Sequence, residues 1–108
     1  MSQFLLDYTG YRNEFAIDVA KGKVLATRGV VNTFTPDEIS AAIARHMALD
    51  WRDMDREDQQ ANLDAAMTGR GRVFGAFRVR GDAGERCDLW IITEANRRET
   101  TALLPEEY

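Results

Sequence analysis

The sequence predicts an α+β domain: a short N-terminal strand, two helices, and a C-terminal antiparallel meander with the helices packed on one face. Three observations carry this. Residues 72–80, 87–94 and 100–108 are short runs rich in β-branched and aromatic side chains, separated by turn-forming residues. Their connections are far shorter than the dozen or so residues a parallel crossover needs, so neighbouring runs pair antiparallel. Thr35-Pro36-Asp37-Glu38 combines a Thr-x-x-Glu capping box with proline at the first helical position, which starts a helix upstream of the sheet.

Residues 1–20 carry the weakest pattern. Phe4-Leu5-Leu6-Asp7-Tyr8 fits either a strand or a helical turn, and Tyr8, Tyr11 and Phe15 recur at helical spacing without a cap. Lys21-Gly22-Lys23 reads as a turn, and residues 24–27 as a short strand ended by Arg28-Gly29. That strand adds a fourth member to the sheet or closes one of its edges.

After the capping box, Ile39, Ala42, Ile43, His46 and Met47 form an apolar stripe that predicts a helix ending near Leu49. Residues 50–54 make a polar connection holding one tryptophan, Trp51. Asp55 is the next cap, with Glu57 and Asp58 in the first turn where acids suit the helix dipole. On this second helix Gln59, Asn62, Leu63, Ala66 and Met67 share a side; Leu63, Ala66 and Met67 are expected to cover the core. Gly69 ends the helix in a left-handed conformation.

Alternation sorts the meander into faces. Val73, Phe77 and Val79 point one way, and Phe74, Ala76 and Arg78 the other. In the second run Leu89 and Ile91 oppose Trp90 and Ile92, so both faces are apolar and the strand is expected to be central and covered. Phe77 and Trp90 are both expected in the core.

Composition bounds the function. A chain of 108 residues, 44% hydrophobic and 30% charged, suits one soluble domain, 1–108. No apolar run approaches a membrane span of ~20 residues, and the N-terminus lacks a signal-peptide pattern, so the expected location is cytoplasmic. Cys87 is the single cysteine and His46 the single histidine, which excludes an internal disulfide and a zinc site built from those residue types alone. No metal or cofactor is expected, because no phosphate loop, calcium loop or nucleophile elbow is present. Charge is uneven: residues 35–68 hold eight acids against three arginines, and residues 70–98 hold seven arginines against four acids.

The candidates for chemistry are few. His46 stands on an apolar stripe, as a packed histidine or as an acid–base group. Trp51, flanked by Asp50 and Asp53, either plugs the junction of helices and sheet or anchors a partner. Glu94, Arg97 and Arg98 collect in the last hairpin, where two arginines can grip a carboxylate or phosphate.

One resemblance is visible. Leu89-Trp90-Ile91-Ile92-Thr93-Glu94-Ala95-Asn96-Arg97 and then Thr100-Thr101-Ala102-Leu103-Leu104-Pro105-Glu106-Glu107-Tyr108 resemble the C-terminal signature of a family of small bacterial proteins carried on plasmids and integrated elements. These are often labelled plasmid-related or restriction-system proteins. The likeness extends back through Arg45-His46, Asp50-Trp51, Asp53, Glu57-Asp58 and Asn62 to Gly22, covering roughly residues 22–108. Arg52 stands where the family pattern has glycine, and Asn96 where it has aspartate.

The resemblance implies a mobile-element context and no reaction. The leading expectation is therefore a non-enzymatic protein-interaction factor acting on host defence (antirestriction) or DNA maintenance. It would bind a protein partner through Trp51, Asp50, Asp53, Glu94, Arg97 and Arg98. A metal-independent, barnase-like nuclease is the alternative, with His46 and Glu94 as acid and base and Arg97 and Arg98 as phosphate clamp; nucleic acid is a partner only there. A dimerising module is the third reading, with residues 24–27 or the last strand as the free edge of a homodimer.

Overall fold

A computed structural model describes residues 3–13, 21–80 and 86–108. Among these residues the elements run β1 (Gln3–Leu6), β2 (Lys23–Thr27), α1 (Arg28–Thr33), α2 (Pro36–Met47), α3 (Arg56–Thr68), β3 (Val73–Arg80), β4 (Arg86–Thr93) and β5 (Glu99–Leu103), closed by a 3₁₀ turn over Pro105–Glu107. The architecture is α+β, with one sheet in the order β1-β2-β5-β4-β3.

The meander forms as expected. β3 pairs antiparallel with β4 from Val73↔Thr93 to Arg80↔Arg86, and β4 pairs antiparallel with β5 from Trp90↔Leu103 to Thr93↔Thr100. Its first turn, 81–84, lies outside the described residues. β5 stops at Leu103 rather than running to Tyr108, because Pro105 has no N–H to give a ladder and turns the chain.

β2 adds a strand to the sheet, as one of the two sequence readings had it, and does not close an edge, as the other had it. Lys23–Thr27 lies inside the sheet rather than at its edge: it joins the meander as the parallel neighbour of β5 and pairs antiparallel with β1. Its buried residues Val24 and Ala26 sit beside Thr100 and Ala102 on the helix-covered face. The sheet's edges are β1 and β3, so residues 24–27 and the last strand are both interior.

The helices follow their signals, with one addition. Thr35 accepts from the Glu38 N–H at 3.1 Å and the Glu38 carboxylate accepts from the Thr35 N–H at 2.9 Å, completing the capping box of α2. Asp55 caps α3 through the Asp58 N–H at 2.9 Å, and Gly69 ends it with φ of 71°. The addition is α1, six residues long, directly after β2 and capped by Thr27 through the Val30 N–H.

One face of the sheet and the helices enclose the core. Val24, Ala26, Val73, Phe77, Leu89, Ile91 and Ala102 meet Val30, Ile39, Ala42, Ile43, Met47 and Ala66 there. α3 contributes less than its pattern suggested: Leu63 is 38% and Met67 51% exposed, while Asn62 and Ala66 are buried. The reason is that α3 packs beside the edge strand. The Asn62 amide donates to the Phe74 carbonyl at 2.5 Å and its oxygen accepts from the Phe74 N–H at 2.9 Å. Met54 Sδ accepts from the Ala76 N–H at 3.4 Å, and Asp53 Oδ2 from the Arg78 N–H at 3.0 Å. Three side chains thus occupy alternate outward groups of β3, so that edge cannot template another strand.

Asn62→Leu keeps the volume and strands one donor and one acceptor of β3. The expected loss is about 1–3 kcal/mol per unmet group, read by urea denaturation, with faster amide exchange at Phe74. An unchanged midpoint would contradict the edge-capping role.

Candidate functional site

The residues singled out by sequence divide into those the fold consumes and those it leaves outside. His46 belongs to the first group. It is 0% exposed on α2, with its ring packed edge-on against Trp51 and Phe77 at centroid distances of 5.9 and 6.0 Å. The Trp51 indole N–H donates to His46 Nδ1 at 3.2 Å, so Nδ1 carries no proton in this arrangement. Nε2 must then be the protonated nitrogen, and it donates to Thr93 Oγ1 at 3.0 Å. Thr93 in turn shares a 2.8 Å hydrogen bond with Thr100. Burial pushes the His46 pKa down from 6.5 to about 3, so the ring stays neutral at physiological pH.

The surroundings are shaped to this ring. Gly75 lies beneath it on β3, and a Cβ there would come within 2.7 Å of His46 Nδ1 and 2.6 Å of the Phe77 ring. Trp51 is 2% exposed and therefore plugs the junction; it offers no anchor to a partner.

Arg97 is consumed in the same way. It turns inward from the β4–β5 hairpin with φ of 62° and is 8% exposed. Its guanidinium donates to the carbonyls of Gly71 at 2.7 Å and Ala65 at 2.8 Å, and to Glu94 and Ala95 at 3.1 and 3.3 Å. Ala65 lies in the last turn of α3, where a cation meets the negative end of the helix dipole. One side chain therefore holds the end of α3, the entry to β3 and the last hairpin together.

Asp50 and Asp53 flank Arg45. Asp50 takes two hydrogen bonds from Arg52, at 2.9 and 2.6 Å, and that pairing holds its carboxyl down at about 2. Asp53 accepts from Arg45 at 3.0 Å besides bonding β3. Arg45 lies over the Phe77 ring, 5.1 Å from its centroid.

Glu94 and Arg98 remain outside. Arg98 is exposed and lines an open cleft with Lys21, Lys23, Asn96 and Glu99. Glu94 belongs to a different cleft, on the face away from the helices, with Glu99, Glu107 and Tyr108. His46 and Glu94 thus lie on opposite sides of the sheet and do not form an acid–base pair. Among the described residues no cluster of His, Cys, Asp and Glu could hold a metal ion.

The far face of the sheet carries large apolar side chains that are only partly covered. Among the described residues no α-helix covers it; the segment Leu104–Tyr108 folds back over part of it. Glu107 accepts from the Thr27 hydroxyl at 2.5 Å, the Leu104 N–H at 2.8 Å and the Gly29 N–H at 3.2 Å, pinning the turn to the start of α1. The segment buries Ile92 and Leu103 but leaves Phe74, Ala76 and Trp90 half-buried. Trp90 is therefore not a core residue as expected. Phe74, Trp90 and Tyr108 interlock edge-to-face at centroid distances of 4.9 to 6.1 Å, and Arg72 donates to the Tyr108 hydroxyl at 2.6 Å. Beside them opens a cleft of about 520 Å³ walled by Met54, Asp58, Asn62, Arg72, Phe74 and Trp90. The alternation of β3 and β4 places Phe74 and Trp90 together; knowing that helices cover only one face would have marked them.

No family model, curated protein or solved structure matches the chain.

A histidine held neutral below its unfolded pKa makes stability depend on pH. The unfolded chain binds a proton near pH 6.5 that the folded chain refuses until about pH 3, so stability falls as pH drops through that window. The expected slope is about 1.4 kcal/mol per pH unit between roughly pH 6 and 4. Urea titrations across that range should show it, and His46→Gln, which carries no titrating group, should flatten it. A parent protein with no slope there would mean that the imidazole is free to take a proton in the fold.

Proposed function

We propose that this chain is a small non-enzymatic interaction factor whose docking surface is the aromatic patch of Phe74, Trp90 and Tyr108 on the helix-free face of the sheet. The carrying observation is their position: three large rings packed on one another, with no α-helix over them among the described residues. Aromatic side chains of this kind supply large contact area at small entropic cost and are the usual anchors of protein interfaces. The rim favours a protein over a nucleic acid. Arg72 and Arg78 border the β3 side, but Asp88 sits across from Arg78, and Glu94, Glu99 and Glu107 line the opposite side. Phosphates would meet three carboxylates there.

The nuclease reading loses its support, because the His46 imidazole is sealed inside and bonded through both nitrogens. Acid–base catalysis needs a group within reach of substrate. The resemblance of residues 22–108 to plasmid- and element-borne proteins supports a partner in host defence, antirestriction included, or in DNA maintenance. A cytoplasmic site of action belongs to the same proposal; among the described residues no helix is long and apolar enough to cross a membrane. Homodimerisation belongs to it as well, since among the described residues β1 has no strand on its outer side.

Trp90→Ser with Phe74→Ser should abolish partner capture by the purified chain in photo-crosslinking from position 76, while the far-UV spectrum stays that of the parent. Arg97→Ala or Trp51→Ala should instead lower the melting temperature by several degrees, because both side chains are buried staples. Undiminished capture by the double variant would overturn the docking surface. Cleavage of RNA or single-stranded DNA that disappears in Glu94→Gln would restore the nuclease.

A further inference from the structure

The two edges of the sheet are treated differently. Asn62, Met54 and Asp53 occupy the outward groups of β3, as described above. β1 has no such protection in its own sequence: Gln3-Phe4-Leu5-Leu6 contains no charge and no proline. Leu5, 69% exposed, is the most exposed large apolar side chain among the described residues, and Phe4 is 41% exposed.

A groove lies beside this edge. It has a volume of about 280 Å³ and is lined by Leu6, Tyr8, Val31, Phe34, Pro36 and Ile39. The register of β1 on β2 sets Phe4 beside Ala26 and Leu6 beside Val24, so both point to the helix-covered side where the groove opens. Leu5 pairs with Leu25 and points to the other side.

We infer that β1 is where a second copy of this chain adds, antiparallel about a two-fold axis at Leu5, with Phe4 of each copy seated in the groove of the other. A two-fold axis normal to the sheet keeps the helices of both copies on one side, so the residues it pairs must share a face. Pairing Leu5 with Leu5 meets that condition and sets Phe4 of one copy opposite Leu6 of the other, next to the groove. An uncharged strand places no like charges across the axis. A second copy is the favoured occupant because one register satisfies the strand edge, the exposed Phe4 and the groove twice over. The result is one continuous sheet of ten strands, five from each copy. The paired segment is only four residues long, so the interface sits at the small end of the size range and its assembly depends on concentration. This interface does not depend on what the aromatic patch binds.

Sedimentation equilibrium of the whole chain should show the mass rising from 12.2 kDa toward twice that value with concentration. Leu5→Lys, at an exposed position, should weaken the association about tenfold or more, and Phe4→Ser should weaken it by emptying the groove. In a Cys87→Ser background, Leu5→Cys should form a disulfide-linked dimer on mild oxidation, because paired strands bring opposite Cα atoms within disulfide reach. Trp90→Ser should leave the mass distribution unchanged. A mass of 12.2 kDa at every concentration up to about 1 mM would overturn the inference. A dimer that persists in Leu5→Lys and gives no Leu5→Cys crosslink would overturn it equally, by moving the interface elsewhere.

Discussion

A neutral imidazole sealed between a helix and a sheet is the constraint on which the rest of this structure depends. His46 brings two polar nitrogens into a site with no solvent, and burying either without a partner would cost roughly 1–3 kcal/mol. Trp51 and Thr93 meet them, and each partner then has its own position fixed. Trp51 comes from the α2–α3 connection, so that connection must fold back over the ring. Thr93 lies at the end of β4 and must reach Thr100 on β5, which fixes the register of the last hairpin. β3 can pass beneath the ring only because position 75 is glycine. Four separate parts of the chain are thereby committed by one side chain.

The same economy appears wherever this small domain joins its elements. Its core is modest, and α3 contributes chiefly Ala66 and Asn62 to the buried set. Polar side chains with several hydrogen bonds each supply the remaining connections. Arg97 ties α3 to the last hairpin, Asn62 and Asp53 seal the edge of β3, and Glu107 fastens the C-terminal turn to α1. Each of these side chains makes at least one bond to an element distant in sequence, so losing one loosens two elements at once. The consequence for function is a separation of roles. Groups that look chemical by type are spent on architecture, and the surface proposed for recognition is aromatic.

Local signals were legible and long-range ones were not. The Thr35–Glu38 box, the Asp55 cap, Gly69 and the alternation of β3 and β4 are each set by neighbours a few residues away, and the fold honours them. The parallel pairing of β2 with β5 joins Val24 to Thr100, and no periodicity encodes a contact at that separation. α1 is hidden because Thr27 serves as the last residue of a strand and as the cap of the next helix. Leu63 and Met67 suggested an apolar stripe, but the hydrogen bonds of Asn62 to an edge strand outweighed the area those two would bury. Arg97 and Trp51 sit in connections, where charge and aromatics usually face outward; their inward turn follows from carbonyls and a ring that only the folded chain brings near. Gly75 was the available clue, since glycine inside a strand marks a close approach.

His46 holds this fold together as a neutral, structural ring, and nitrogen NMR tests that most directly. In ¹⁵N-labelled protein titrated from pH 8 to 4, the imidazole should keep one protonated and one bare nitrogen throughout, with Nε2 carrying the proton. The bare Nδ1 should show coupling or exchange with the Trp51 indole N–H. Both nitrogens converging on imidazolium shifts with a midpoint near 6.5 would contradict it, because a ring that titrates normally is exposed to water and is not the staple described.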